Sequence, residues 1–183
     1  GRRWVERATQ LDATDDDLML SGLDVAQCQQ YQALPETQVD EVRSWLASSP
    51  CHHLITALDA GYPVRLKEIA RFPPILYIQG DPAVLHTPQL AVVGSRNLSH
   101  YGRYWCDGFT QHLALSGLTI TSGLARGIDG VAHQAALNVG GKTVAVLGSG
   151  LQHLYPKSHL TLAREIVEQG GALISEFPLT AIP

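Results

Sequence analysis

No stretch of the 183-residue chain approaches the roughly 20 consecutive apolar residues that a bilayer span requires, and residues 1–20 lack the apolar core of a secretory leader. The expected setting is therefore the cytoplasm, with no membrane partner. Cysteine is also scarce: Cys28, Cys51 and Cys106 are odd in number, far apart and never in a Cys-x-x-Cys pair. That excludes a disulfide framework and gives no zinc signature, so the thiols are read as reduced and structural. Positive charge is in deficit as well, with a formal net charge of -4. The deficit is local, since residues 1–90 hold seven Lys/Arg against twelve Asp/Glu while residues 91–183 hold six against five. An anionic partner for the second half is thus not excluded.

What is present suits one substantial buried core: 45% of residues are hydrophobic and the mean hydropathy is +0.01. From Leu90 onward one unit repeats, a short apolar run, then a Gly/Ser/Arg cluster, then a helical stretch. The runs are Leu90–Val93 before Gly94-Ser95-Arg96, Leu118–Thr121 before Ser122-Gly123-Leu124-Ala125-Arg126-Gly127, and Val144–Leu147 before Gly148-Ser149-Gly150. Ala172–Ser175 is a fourth run. Helices are expected over about 101–116, with Tyr104, Phe109, Leu113 and Leu115 available for the core, over 128–138, and over 158–169. Strands alternating with helices predict an α/β fold, an incomplete doubly wound parallel sheet. Ligands of such sheets collect outside the carboxyl ends of the strands, where these small and cationic residues fall, so the expected ligand is anionic.

The first fifty residues read as short helices. Asp15-Asp16-Asp17 can cap one, and a second runs from Thr37 through Trp45 to a stop at Ser48-Ser49-Pro50. Arg2, Arg3 and Arg7 are read as solvated. Residues 51–89 form a connector punctuated by Gly61-Tyr62-Pro63, Phe72-Pro73-Pro74 and Gly80-Asp81-Pro82, with Ile75–Ile78 as a strand whose flanking Pro74 and Gly80 suit an edge.

Each candidate motif has a plainer reading beside it. Gly94-Ser95-Arg96 can bring a backbone and a guanidinium fork against phosphate, or Gly94 can make a tight turn while Arg96 pairs with a carboxylate such as Glu176. Ser122–Gly127 is a second anion loop ahead of a helix. Asp129 and His133 share a face of that helix. With no nucleophile beside them, Asp129 is read as complementing the helix dipole and His133 as bonding a neighbouring loop. Gly148-Ser149-Gly150 fails as a dinucleotide fingerprint because His153 stands where the third glycine belongs, and Gly141-Lys142-Thr143 precedes a strand where a phosphate loop would follow one. Lys157 is a phosphate contact or a solvated lysine; Tyr155 can stack on a base but is read as packing. Cys51-His52-His53 is read as structural, since sequence neighbours rarely converge on one metal.

Taken in order, Ala91–Arg96, Ser122–Asp129 with Ala132-His133, Val146–Gly150, Tyr155-Pro156-Lys157 and Ser175–Pro178 resemble the DNA-processing protein A family, also called Smf, over about residues 52–183. Upstream, Tyr62-Pro63, Leu66, Ile69, Pro73-Pro74 and Leu76-Tyr77 are similar to the family's approach to its first nucleotide-fold strand. The resemblance implies a Rossmann-like domain over 51–183, preceded at 1–50 by the remnant of a small helical, sterile-alpha-motif-like domain. It implies a cofactor-free, non-enzymatic protein that binds and protects single-stranded DNA in natural transformation. It also implies a RecA-type recombinase as partner and a homodimer in the full-length protein. Carried over by position, Gly94, Ser95, Arg96 and Lys157 become DNA contacts. With the loop readings, the candidate set is Gly94, Ser95, Arg96, Ser122, Gly123, Arg126, Gly127, Gly148, Gly150 and Lys157. Family members continue past Ser-Glu-x-Pro, so the chain is expected to be a fragment holding part of the groove.

The competing reading is an enzyme, a nucleotide-processing phosphoribohydrolase of the lysine-decarboxylase-like group. Its Pro-Gly-Gly-x-Gly-Thr-x-x-Glu stretch does not occur in the 183 residues. A dinucleotide-dependent oxidoreductase ranks third because its glycine fingerprint fails.

Overall fold

The computed structural model describes residues 36–183, and the expected helix at Asp15–Asp17 and the arginines at 2, 3 and 7 lie outside them. In chain order the elements are α1 (Glu36–Ser48), β1 (His52–Thr56), β2 (Ile75–Gly80), β3 (Gln89–Ala91), α2 (His100–Leu115), β4 (Thr119–Ser122), α3 (Ile128–Asn138), β5 (Thr143–Leu147), α4 (Leu160–Glu168) and β6 (Ala172–Ser175). Short 3-10 turns lie at Val64–Glu68, Pro82–His86 and Lys157–His159. No described helix is long and apolar enough to cross a membrane.

The six strands form one sheet in the order β1-β2-β6-β5-β4-β3. Strands β3 to β6 are parallel, while β2 runs antiparallel to β6 and β1 antiparallel to β2. The class is the α/β, Rossmann-like one that the alternating units predict, but the sheet is mixed. Strand β2 is also not the edge it was expected to be. Pro74 precedes the ladder and uses only its carbonyl, accepting from Ala57 N–H at 2.8 Å, so it does not bar pairing on both sides of β2. The true edge, β1, is His-His-Leu-Ile-Thr, half-buried along its length, and offers no alternation to signal it. Its His52 is structural: the ring stacks on Trp45 at 4.1 Å and Nδ1 donates to the Trp45 carbonyl at 2.8 Å.

Successive crossovers step the same way across β3, β4, β5 and β6, so α2 packs beside α3, and α3 beside α4, on one face. Winding in a single direction is what the described residues show. On that face Leu137, Leu162 and Ile166 pack on Ala145, Leu147 and Leu173, with Trp45 of α1 joining the cluster. The other face is covered by the connector: Tyr62, Val84 and Leu85 lie over Leu76, Ile78, Val144 and Ala172. That cover stops short of the carboxyl end of β5, where Val146 is 45% exposed.

Helix α2 corrects the core expected of it. Its inward stripe is Cys106, Thr110, Leu113 and Ala114, small enough for α3 to approach through Ala132 and Ala136. Tyr104, Phe109 and Leu115 are 72%, 61% and 68% exposed. The aromatic rings pack on each other along the outer side, Trp105 stacking on Phe109 at 5.3 Å. Ile78→Ala, which empties a fully buried site, should cost about 3 kcal/mol in urea unfolding, against about 1 kcal/mol or less for Phe109→Ala. Equal losses would mean that the outer side of α2 is buried.

Candidate functional site

Three of the parallel strands end at one cleft of about 970 Å³, whose lining includes Arg96 and Asn97 after β3, Gly123, Ala125 and Arg126 after β4, and Gly148 and Ser149 after β5, with Tyr155 beside them. Among the described residues, no Asp or Glu side chain lines it. Among the described residues, neither Arg96, Arg126 nor Lys157 forms an ion pair. Lys142, by contrast, lies at the amino end of β5 and pairs with Asp81 at 3.6 Å. A second hollow, of about 480 Å³ on α2, is lined by Tyr104, Trp105, Phe109 and His112 and holds none of the loop cations.

The candidate residues divide into those that line the cleft and those that shape it from beneath. Arg96, Gly123, Arg126 and Gly148 line it. Gly94 lies against α3, where a Cβ would come within 2.6 Å of Ile128. The Ser95 hydroxyl is spent on a local turn with Asn97 (2.9 and 3.1 Å), and its carbonyl accepts from Ile128 N–H. Ser122 is 4% exposed and donates to the Val92 carbonyl at 2.6 Å, tying the end of β4 to the exit of β3. Gly127 has a φ of 88°, and a side chain there would collide with the Ser95 carbonyl, so glycine is what lets the first two loops touch. Gly150 is buried against Pro178 and Leu179 and donates its N–H to the Ala181 carbonyl at 2.8 Å. Lys157 is exposed in the 3-10 turn that follows Tyr155.

One residue departs from its sequence reading, and a second had none. Tyr155, assigned to packing, is 57% exposed at the cleft. Asn97 was not singled out, although a polar residue directly after Gly-Ser-Arg was the available signal.

The second loop is held by α3. The Asp129 carboxylate accepts from Gly123 N–H at 3.1 Å, and His133 Nε2 accepts from Leu124 N–H at 3.3 Å. Because Nε2 is an acceptor, the ring proton sits on Nδ1, which donates to Thr143 Oγ1 at 2.7 Å; that hydroxyl in turn donates to the Ile120 carbonyl at 2.7 Å. His133 therefore bonds a neighbouring loop, as read from the sequence, and Asp129 does the same in addition to facing the helix terminus. Leu124 adopts φ 60°, an uncommon conformation for a side chain of its size. Past it, the N–H groups of Ala125 and Arg126 have no backbone partner among the described residues, leaving donors at the cleft.

Burial pushes His133 down to about 3, with the neighbouring His159 adding to the shift. Above pH 6.5 the ring is neutral in the folded and unfolded chain alike. Below it the unfolded chain takes a proton that the core refuses, so this stabilisation is complete above pH 6.5 and is lost as pH falls toward 3. Urea unfolding between pH 6.5 and 5 should show stability dropping by up to about 1.4 kcal/mol per pH unit from this group. His133→Gln should flatten that drop; an unchanged slope in the variant contradicts the buried neutral ring.

Comparison with known proteins places relatives beside this geometry. A family model described as DNA recombination-mediator protein A matches residues 53–183. Protein Smf of Escherichia coli strain K12 is 47% identical over 180 residues, covering 98% of this chain and 47% of the relative. The chain thus spans about half the length of that curated relative. The X-ray structure of DNA processing protein A from Streptococcus pneumoniae superposes with a TM-score of 0.73 at 33% identity, covering 96% of this chain and 61% of that one. A Helicobacter pylori DNA processing protein A, solved for its single-stranded DNA binding mode, superposes with a TM-score of 0.64 at 27% identity, covering 72% and 58%.

Proposed function

The chain belongs to the DNA recombination-mediator protein A family, and from that membership we propose that its cleft binds single-stranded DNA through the phosphate backbone. The observation that carries the proposal is the pair Arg96 and Arg126. Two guanidinium groups from the loops after adjacent strands line a cleft to which no described Asp or Glu side chain contributes, and neither has an ion-pair partner among the described residues. Each fork can hold a phosphate bidentately, and the unpartnered amides of Ala125 and Arg126 add neutral donors. Exposed Tyr155 offers a face on which one base can stack, and Lys157 extends the cationic track beyond it. Gly123 and Gly148 keep the floor low enough for a backbone to approach. The buried members of the candidate set, Ser122, Gly127 and Gly150, act by holding the loops together.

Such a site is sequence-tolerant, because phosphates carry no base information. That suits a protein handling arbitrary strands in the cytoplasm during natural transformation. For the whole protein the reading extends to protecting the strand, acting as a homodimer and helping to load a RecA-type recombinase. The family's description as a recombination mediator supports that extension, as does the single-stranded DNA binding of the Helicobacter relative. The protein is read as a binder and not an enzyme. His133 and Asp129, which hold the loop after β4, are buried and committed to backbone amides, and the Ser149 hydroxyl is committed to the His153 carbonyl. This disfavours the phosphoribohydrolase reading.

Fluorescence anisotropy of a labelled oligonucleotide tests the proposal. Arg96→Ala and Arg126→Ala should each weaken binding equally on poly-dT and mixed sequences, and each should lower the slope of log K against log salt by about 0.7. Absence of binding at low salt, or losses confined to one sequence, would overturn it.

A further inference from the structure

We infer that His159 is a positioning residue that locks the loop after β5 onto the loop after β4, so that the two move as one body. The functional consequence rests on the DNA-binding reading above. His159 Nδ1 donates to the Leu124 carbonyl at 2.8 Å, across 35 positions of sequence. Since His133 already takes the Leu124 N–H, both backbone polar groups of one left-handed residue are held by imidazoles from two different elements.

Three features mark this contact as built for the purpose. His159 occupies the N-cap of α4, where Ser, Thr, Asp or Asn would serve the helix best, yet its side chain makes no capping bond. The ring lies on Gly130 of α3, where a Cβ would come within 2.7 Å of His159 Cε1. A glycine near the start of an 11-residue helix is unfavourable for the helix itself, so the position is set by the ring it accommodates. Gly130 N–H also donates to the Ala125 carbonyl at 3.1 Å, so the seat of the ring and the loop it holds are bonded to each other. Nδ1 is a donor in the tautomer this contact requires and in the imidazolium, so the lock holds whether His159 is neutral or charged.

Lys157 lies two residues before His159 in the same 3-10 turn, and Arg126 two residues after Leu124. The lock therefore sets the separation between these cations, which have to meet successive phosphates of one strand. It also seats Tyr155, at the head of that turn, beside the cleft.

The test compares His159→Ala, His159→Asn and Gly130→Ala with the wild-type protein in two measurements. Hydrogen exchange of the bonded amides of Gly123, Leu124 and Gly130, without DNA, reads the lock. Oligonucleotide anisotropy across a salt series reads its consequence. His159→Ala should speed exchange at these amides and weaken binding about tenfold, with a salt slope lower by about 0.7, although the ring itself contacts no phosphate. Asn, whose side-chain amide can donate where Nδ1 does, should restore most of both. Gly130→Ala should reproduce the Ala phenotype by evicting the ring, while a better helix former at 130 keeps the thermal midpoint from falling. Unchanged exchange in His159→Ala overturns the lock. Faster exchange with unchanged affinity overturns the positioning role. No binding by the wild-type protein overturns the DNA reading, and the exchange measurement then still decides whether the lock exists.

Discussion

Leu124 adopts a left-handed backbone conformation, and its N–H is accepted by an imidazole that is fully buried and neutral. Behind that imidazole a chain of bonds runs through Thr143 to the Ile120 carbonyl, so the conformation of one loop residue is anchored in the pairing of β4 with β5. An unmade bond anywhere along this chain would leave a buried polar group without a partner, at a cost of about 1–3 kcal/mol. No buried side-chain polar atom among the described residues is left in that state. The other loops lean on this one: Ser122 reaches the exit of β3, and Gly127 admits the Ser95 carbonyl. The parallel sheet brings three loops to one edge, and this bonding turns them into one surface.

Electrostatics follow from the same arrangement. The chain as a whole is acidic, yet among the described residues its cleft is lined by cations and by no Asp or Glu side chain. Asp129, the acidic group closest to the loop, is 9% exposed and accepts from a backbone amide, so it serves the cleft as scaffold and not as counter-charge. A local field of this kind decides which ligand approaches, whatever the net charge.

The strand, cluster and helix rhythm after Leu90 was legible because three of the four parallel strands, β3, β4 and β5, belong to short runs closed by glycine. The helix at 128–138 matched to the residue. What was not legible depended on neighbours distant in sequence. β1 has no alternation, and β2 becomes interior only because β1 pairs with it. The aromatic side of α2 was mistaken for its core because small residues, not large ones, suit a close approach to α3. Ser122 and Gly150 resembled ligand-facing positions, and only the structure turns them inward, toward Val92 and Leu179. Tyr155 resembled core and lies open at the cleft. Single residues in a loop carry no periodicity from which to read a direction. His159 carried no signal on its own, because its meaning lies in a carbonyl 35 residues away.

The central claim is that a nucleic-acid strand lies across the carboxyl ends of β3, β4 and β5. Titration of isotopically labelled protein with a short unlabelled oligonucleotide, followed by amide chemical-shift mapping, tests it most directly. The account predicts shifts concentrated at 94–97, 123–127, 148–149 and 155–157, with the turns at the opposite end of the sheet, 140–142 and 170–171, unmoved. Shifts centred on the outer side of α2 or on those opposite turns would contradict it.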